Sequence, residues 1–417
     1  MNSLISLRLG RNVYIQNYEV VIVGAGPAGS TAAKFTAEKG LKVLLIDKCS
    51  FPRDKPCGGG ITMKTLKRFS YIDEDIIETY SYGGCIHSSS LTYNVHVEKK
   101  EPFGAFVIRK KFDNGLVRLA INSGASFQEG KKVIDIKKNQ DNVNILLDDG
   151  TSITSQLAIG ADGVWSTIAK KSGLRPQNPP VGICIVQEVP TSSKIINKYF
   201  TKKKIGHLHI KVFGLAGYGW VFPKDKYINI GIGQITSATT HNKVKKNLKD
   251  IYNQYITLLK KNRHIPSSIN TKRIKGAALP MHPLTKTYAD RLLLCGDAAG
   301  LINPLTGDGI EYAMVSGQIA SEVCKEAIDA DDTSASFLSR YQKRWQHDFG
   351  KDIKFLLRAQ KGWTTDSEKV VKLIANDKKL AEIGFALATG NISIRESRLK
   401  LIRCFLISYI RNLLTKK

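Results

Sequence analysis

Residues 19–29 read E-V-V-I-V-G-A-G-P-A-G, a β-branched run that stops on three glycines spaced G-x-G-x-x-G. The run suits a buried strand, and Ser30 to Lys39 behind it has helical spacing that ends at Gly40. Lys42 to Ile46 (KVLLI) then reads as a second strand, closed by Asp47. Strand, glycine turn, helix, strand and acid fall in the order that a dinucleotide-binding unit needs. In such a unit Gly24 permits the sharp turn, Gly26 lets backbone N–H groups approach a pyrophosphate, and Gly29 lets the helix sit close on the strand. Asp47, eighteen residues after Gly29, is placed to accept hydrogen bonds from an adenosine ribose. The competing reading is an ordinary glycine-rich βα turn.

Two further glycine-acid turns follow, G-A-D-G at 160–163 and G-D-A-A-G at 296–300, each behind a strand-like run (Gln156 to Gly160 and Arg291 to Cys295). A nicotinamide nucleotide uses only the first turn, whereas FAD, stretched across the domain, can use all three. Asp297 at a strand end would hold a ribityl hydroxyl or a pyrophosphate-bound water. Beyond it, Ile302 to Ile310 reads I-N-P-L-T-G-D-G-I, and a helix starting near Asp308 would aim its N–H groups at the N1/O2 edge of a reduced flavin.

Between these turns, helices are expected at Ile61 to Phe69, Arg109 to Asn122 and about Asn242 to Asn262. Alternating strands are expected near Ser88 to Val97, Ala105 to Ile108, Gln128 to Leu147 and through Val181 to Gln234. The chain from Asp308 onward reads as mostly helical. The fold class is therefore α/β, α+β overall: a Rossmann-like FAD-binding domain interleaved with an antiparallel-sheet substrate domain, plus a C-terminal helical region. The expected boundaries are 18–82, 105–175 and 276–332 for the first, 83–104 and 176–275 for the second, and 333–417 for the third.

Composition agrees with a chain of two or three domains: 417 residues, 42% apolar, with no repeat or low-complexity tract that would favour disorder. Seven cysteines (49, 57, 85, 184, 295, 324, 404) are scattered without a C-x-x-C pair, which argues against a disulfide framework or a structural zinc site and for a reduced, cytoplasmic setting. The first seventeen residues have no apolar core ending at a small-residue cleavage site, so they do not read as a signal peptide. A formal charge of +27 calls for nucleic acid, an anionic membrane surface, a phosphorylated substrate, or simply a solvated lysine-rich surface. The lysine clusters at 202–204, 243–249 and 260–261 lack interleaved aromatics, so no nucleic-acid partner is expected.

Two stretches remain: P-R-D-K-P-C-G-G-G at 52–60 and Y-G-W-V-F-P at 218–223. With the glycine turn at 24–29 and the Gly296-Asp297 turn, they give the chain from about Tyr18 to Asp332 a resemblance to the geranylgeranyl reductase family, among the flavoproteins similar to para-hydroxybenzoate hydroxylase. The resemblance implies non-covalent FAD and hydrogenation of carbon–carbon double bonds in prenyl chains, on a diphosphate, a membrane lipid or a chlorophyll side chain. Arg109 resembles the family's arginine that reaches FAD, its planar fork suiting a pyrophosphate or a flavin carbonyl; Asp113, one turn later, is expected on the helix surface.

An isolated alkene is a poor hydride acceptor, so a proton must reach one carbon as hydride reaches the other. Cys57 is the catalytic candidate for that proton, with Arg53, Lys55 and nearby N–H groups to tune it. The alternative is a small side chain that only fills space beside the flavin. Tyr218, Trp220 and Phe222 alternate on one strand face and would wall a polyprenyl chain, or else pack an ordinary core. Lys224 would meet a phosphate or solvent.

The residues expected to bind cofactor are Gly24, Gly26, Pro27, Ala28, Gly29, Asp47, Lys48, Cys57, Gly58, Gly59, Arg109, Asp162, Gly296, Asp297, Gly307, Gly309 and Ile310, with no metal ligands. The electron donor is NAD(P)H, ferredoxin or a quinol. The basic, apolar stretch Arg398 to Leu414 is too short to span a bilayer and suits either an interfacial helix or one docked on the protein itself, so the expected setting is cytoplasmic, peripheral on the inner membrane face. An aromatic-ring monooxygenase, an FAD-dependent tRNA-modifying protein and a non-catalytic lipid carrier are the alternative functions.

Overall fold

The structure is a computed structural model that describes residues 17–236, 247–271, 273–363 and 367–388, with positions 392, 399, 402–404 and 407. The nucleotide unit forms as its pattern requires. Strand Asn17–Val23 lies between Val43–Ile46 and Ser152–Gly160, parallel to both. Ser126–Gln128 extends the sheet beyond Val43–Ile46, and Leu292–Leu294 extends it beyond Ser152–Gly160. Val20, Val21 and Ile22 are wholly buried, as a parallel strand covered on both faces must be. Helix Pro27–Glu38 follows the glycine turn and packs against Ile310–Asp329 so tightly that a Cβ on Gly317 would meet the Ala28 carbonyl oxygen at 2.3 Å.

A second sheet is mostly antiparallel and runs Lys275–Pro280, Val181–Pro190, Tyr227–Thr236, Gly217–Pro223, Gly206–Ile210, Gly83–His87, Asn94–Glu98. Gly206–Ile210 pairs with Gly83–His87 in parallel, joining chain segments more than a hundred residues apart. Lys275–Pro280 belongs to this sheet, which therefore reaches past residue 275. Helix Leu248–Lys261 lies on one face of it, with Tyr252 and Tyr255 wholly buried. A small third sheet of Gly60–Thr62, Gly104–Phe106 and Thr79–Ser81 forms from the segments that flank the Gly83–Glu98 hairpin. The C-terminal region is helical through Ala335–Trp345, Lys351–Trp363, Ser367–Ala375 and Lys378–Ala388.

Several local expectations change. Ile61 and Thr62 are strand, and the helix starts at Met63, because Thr62 caps it by accepting from Thr65 N–H at 3.1 Å. Ser88 to Tyr93 is the turn of a hairpin whose strands are Gly83–His87 and Asn94–Glu98. Inside the strand-rich stretch, Ser193–Phe200 is a helix capped by Ser192. Residues 1–16, the lysines at 243–246 and most of the basic C-terminal stretch lie outside the described residues.

Candidate active site

The glycine turn has one open side. A Cβ on Gly24 would lie 2.3 Å from the Ala161 carbonyl oxygen, and one on Gly29 would lie 1.8 Å from the Gly24 carbonyl oxygen, so both glycines are required by close backbone packing. Gly26 differs: a Cβ there would meet only Arg53 Nη2, at 3.6 Å. The first N–H groups of helix Pro27–Glu38 therefore face free space, where an anion fits. Asp47 is buried and accepts from Ala25 N–H at 2.7 Å and Cys49 N–H at 2.9 Å, which holds the turn to the second strand; Lys48 is exposed.

From this turn a cavity of about 320 Å³ runs toward the second sheet. Gly26, Pro27, Ala28, Ala161, Gly163, Asp297, Gly307, Gly309 and Ile310 line one end, Cys57 to Thr62 the middle, and Phe106, Leu208, Trp220, Phe222, Met281 and Phe385 the other. The three glycine-acid turns thus come to one side of one cavity. Asp162 itself uses its carboxylate to cap the short helix Thr167–Lys171, accepting from Thr167 N–H at 2.6 Å and Ser166 Oγ–H at 2.5 Å, while its neighbours Ala161 and Gly163 line the wall. Gly296 is buried with its N–H on Ser316 Oγ, and Asp297 receives Lys55 Nζ at 3.5 Å, linking the third turn to the cysteine loop.

Helix Ile310–Asp329 begins two residues after Asp308, with Gly309 at its N-cap, so its free N–H groups open into the same space. Asp308 accepts from Ile310 N–H at 3.2 Å. Burial, reinforced by nearby Glu311, pushes its carboxyl up to about 7.

The cysteine loop is held from below. Gly59 N–H meets Cys57 Sγ at 3.3 Å, and the Cys57 carbonyl accepts from Asn229 Nδ2 at 2.9 Å. Gly58 packs so closely on the aromatic strand that a Cβ would lie 3.0 Å from Phe222 Cε2. Arg109 is buried and bidentate to Asp113 at 2.7 and 2.8 Å, and its guanidinium also meets the Cys57 sulfur. Burial opposes its charge, but Asp113 and Cys57 more than offset that, so its pKa is raised.

Two expectations are corrected here. Asp113 is wholly buried, because it pairs with both Arg109 and, at 3.0 Å, Arg53 Nη1. Lys224 meets neither phosphate nor solvent: it is buried in an ion pair with Glu188, beneath Gly59.

Tyr218, Trp220 and Phe222 do share one face of Gly217–Pro223 and line the cavity. Phe222 stacks on Phe106 with centroids 4.9 Å apart, and Tyr218 donates to the Thr306 carbonyl. Sequence reasoning missed the floor of the site. Trp220 Nε1–H donates to Asn229 Oδ1 at 2.7 Å, and Asn229 donates onward to Glu188 at 2.8 Å and to Cys57. Asn229 sits between Ile228 and Ile230 in the apolar half of its strand, and a polar residue at that place is the signal that could have found it. Cys184 and Phe385 also line the cavity; burial pushes the Cys184 thiol up to about 11.

The open N-terminus at Gly26 and a second helix N-terminus at Ile310, both at one end of the long cavity, fit FAD. Residues 17–321 match the family profile described as the FAD binding domain. Digeranylgeranylglycerophospholipid reductase 1 of Methanopyrus kandleri is 33% identical over 347 residues, covering 80% of this chain and 87% of that protein. The digeranylgeranylglycerophospholipid reductase of Methanocaldococcus jannaschii is 33% identical over 334 residues, covering 79% of this chain and 82% of that one. A crystal structure of a geranylgeranyl bacteriochlorophyll reductase-like protein from Thermoplasma acidophilum aligns with a TM-score of 0.76 at 24% identity, over 94% of this chain and 96% of that one, a likeness of fold.

Proposed function

Because the chain belongs to the geranylgeranyl reductase family of FAD-binding flavoproteins, we propose that it is an FAD-dependent reductase that hydrogenates the double bonds of geranylgeranyl chains carried on a glycerophospholipid. The observation that carries this reading is the single cavity leading from the Gly26 turn, past Cys57, to the apolar wall of Phe106, Trp220, Phe222 and Phe385. Its far end offers hydrocarbon contacts and little to orient a polar ring substrate. Such a wall suits an isoprenoid chain, whose burial is worth about 25 cal/mol per Å² of apolar surface.

Bound and reduced, FAD supplies hydride. The chain's own residues do the rest. The N–H groups after Gly26 would hold the pyrophosphate, Asp47 the ribose, and the N-terminus of Ile310–Asp329 would balance negative charge on the ring. Phe222 and Trp220 orient the alkene. Cys57 holds a proton at Sγ for one alkene carbon, and the thiolate it leaves is met by Arg109 and Gly59 N–H. Asp113 and Arg53 fix Arg109 so that its charge stays beside the sulfur.

The substrate's chains lie in a bilayer, so the enzyme works peripherally at a membrane surface. The formal charge of +27 favours anionic headgroups, and no helix among the described residues is long and apolar enough to cross a membrane. The test is to reduce the bound flavin anaerobically, add a digeranylgeranylglycerophospholipid, and weigh the product. A gain of two hydrogens per double bond with flavin reoxidation is expected; no reoxidation with any prenyl lipid or prenyl diphosphate rejects the reading.

A further inference from the structure

Four of the eight histidines, His87, His207, His209 and His264, gather inside the second sheet, on the face turned away from the cavity. Strand register puts them there. Gly206–Ile210 runs parallel to Gly83–His87, with His207 beside Cys85 and His209 beside His87. Gly84, Gly206 and Leu208 line the cavity, so the alternating residues Cys85, His87, His207 and His209 point the other way. His264, just after helix Leu248–Lys261, closes over them: its ring centroid lies 5.0 Å from that of His87 and 5.2 Å from that of His209.

Imidazoles in an apolar core are costly unless each nitrogen finds a partner. Here they find one another. His209 Nε2 lies 3.0 Å from His264 Nδ1, and His87 Nε2 lies 3.0 Å from His207 Nδ1. His209 Nδ1 lies 2.7 Å from Tyr255 Oη. In the tautomer where that Nδ1–H donates to the tyrosine, Nε2 presents a lone pair to the cluster, the arrangement that orients metal-bound histidines. Burial first, and mutual repulsion second, keeps His87 down at about 4 and His207 at about 3, and burial lowers His264 too.

We propose that His87, His209 and His264 form a binding site for a divalent transition metal of the zinc class. One donor atom from each lies within 4.8 Å of the others. Three nitrogens around a tetrahedral zinc at 2.0–2.1 Å are about 3.3 Å apart, so the more distant donors must close in by up to about 1.5 Å. His87 and His209 are stacked at 5°, and binding breaks that stack, because the ion lies in the plane of each ring it joins. His207 stays hydrogen-bonded to His87, 3.0 Å away, at the edge of the site. A second group, Cys85, His87 and His207, shares His87 and so competes with the first. The all-histidine set is preferred because Tyr255 Oη already holds the far nitrogen of His209, the outer contact that orients a ligating imidazole. Imidazole donors suit zinc, copper and nickel alike. Buried among packed side chains, the ion would be structural, tying the 83–87 strand to the strand and helix contributed by residues 206–264.

The test uses the FAD-loaded protein, stripped of metal with a chelator and dialysed against zinc. Zinc per chain is measured by mass spectrometry, and thermal unfolding is followed with and without zinc. Wild type should hold one zinc per chain and unfold at a higher temperature with it. His264→Gln, at the partly exposed edge of the cluster, should bind zinc at least tenfold more weakly, and His87→Gln likewise. His347→Ala, on an exposed histidine elsewhere, should bind as wild type does. Less than a tenth of an equivalent in wild type, or undiminished binding by both cluster variants, overturns the proposal. Loss of zinc on His347→Ala does so too, by placing the ion outside the cluster.

Discussion

The Asn229 side-chain amide donates to the Cys57 carbonyl oxygen at 2.9 Å, so the loop that carries the thiol hangs on a residue buried in the neighbouring sheet. The same side chain accepts from Trp220 Nε1 and donates to Glu188. Loop position, aromatic wall and buried ion pair therefore share one hinge.

Replacing Asn229 with Leu leaves three buried polar groups short of a partner. A loss of about 2–4 kcal/mol in unfolding free energy is expected, at 1–3 for each group left unmade and some relief from relaxation. Denaturant titration of the two proteins measures it. Turnover should fall more than FAD affinity, since the helix N-terminus at Gly26, proposed for the pyrophosphate, lies elsewhere.

Cys57→Ala should keep a yellow, folded protein and lose about 10²-fold or more in the rate of alkene reduction, the scale of a missing general acid. Single-turnover mixing of the reduced enzyme with prenyl lipid reports the rate directly. Unchanged turnover would assign the thiol a space-filling role.

Gly26 and Gly29 should fail differently. Gly26→Val meets only the Arg53 side chain, so the protein is expected to fold and elute colourless, its methyls occupying the pyrophosphate's place. Gly29→Val puts a Cβ 1.8 Å from a backbone oxygen and should cost solubility or several degrees of thermal stability as well. Absorbance at the flavin band together with circular dichroism separates the two outcomes.

Lys224→Met strands Glu188, whose carboxyl is already raised by burial despite its lysine partner, and whose Oε2 has no hydrogen-bond partner. A loss of about 3 kcal/mol at pH 7 is expected, toward the low end for a broken buried pair because the Glu188 side chain is 31% exposed. A carboxyl raised in the folded state stabilises least at high pH. The deficit should therefore shrink as pH falls through the folded value, and Lys224→Met with Glu188→Gln should recover most of it. Unfolding midpoints from pH 4 to 8 provide the check.

Asp308 gives a second pH signature. Its carboxyl ionises near 3.8 in the unfolded chain and at about 7 in the folded one. Between those values the unfolded chain is ionised and the folded one protonated, so stability falls as pH rises from about 4 to about 7 and then levels. Asp308→Asn should flatten that part of the wild-type profile in a thermal-shift series.

Much of this was legible in the chain because it depends on local spacing. The β-branched run before Gly24, the glycines at 24, 26 and 29 and the acid at 47 specify a strand–turn–helix–strand unit whatever surrounds it. The helix Arg109–Asn122 and the shared face of Tyr218, Trp220 and Phe222 follow from the periods of helix and strand. What the residues buried together could not be read that way. Asp113 has the spacing of a surface helix residue, yet it is core, paired with Arg109 on its own helix and with Arg53 from a distant loop. Lys224 ends a strand and would be solvated had Glu188 not been brought beneath the same loop. His87 and His209 are 122 positions apart, and only the parallel register of their two strands stacks their rings. Spacing along the chain determines which backbone forms; strand register decides which charges and imidazoles must share a space without water.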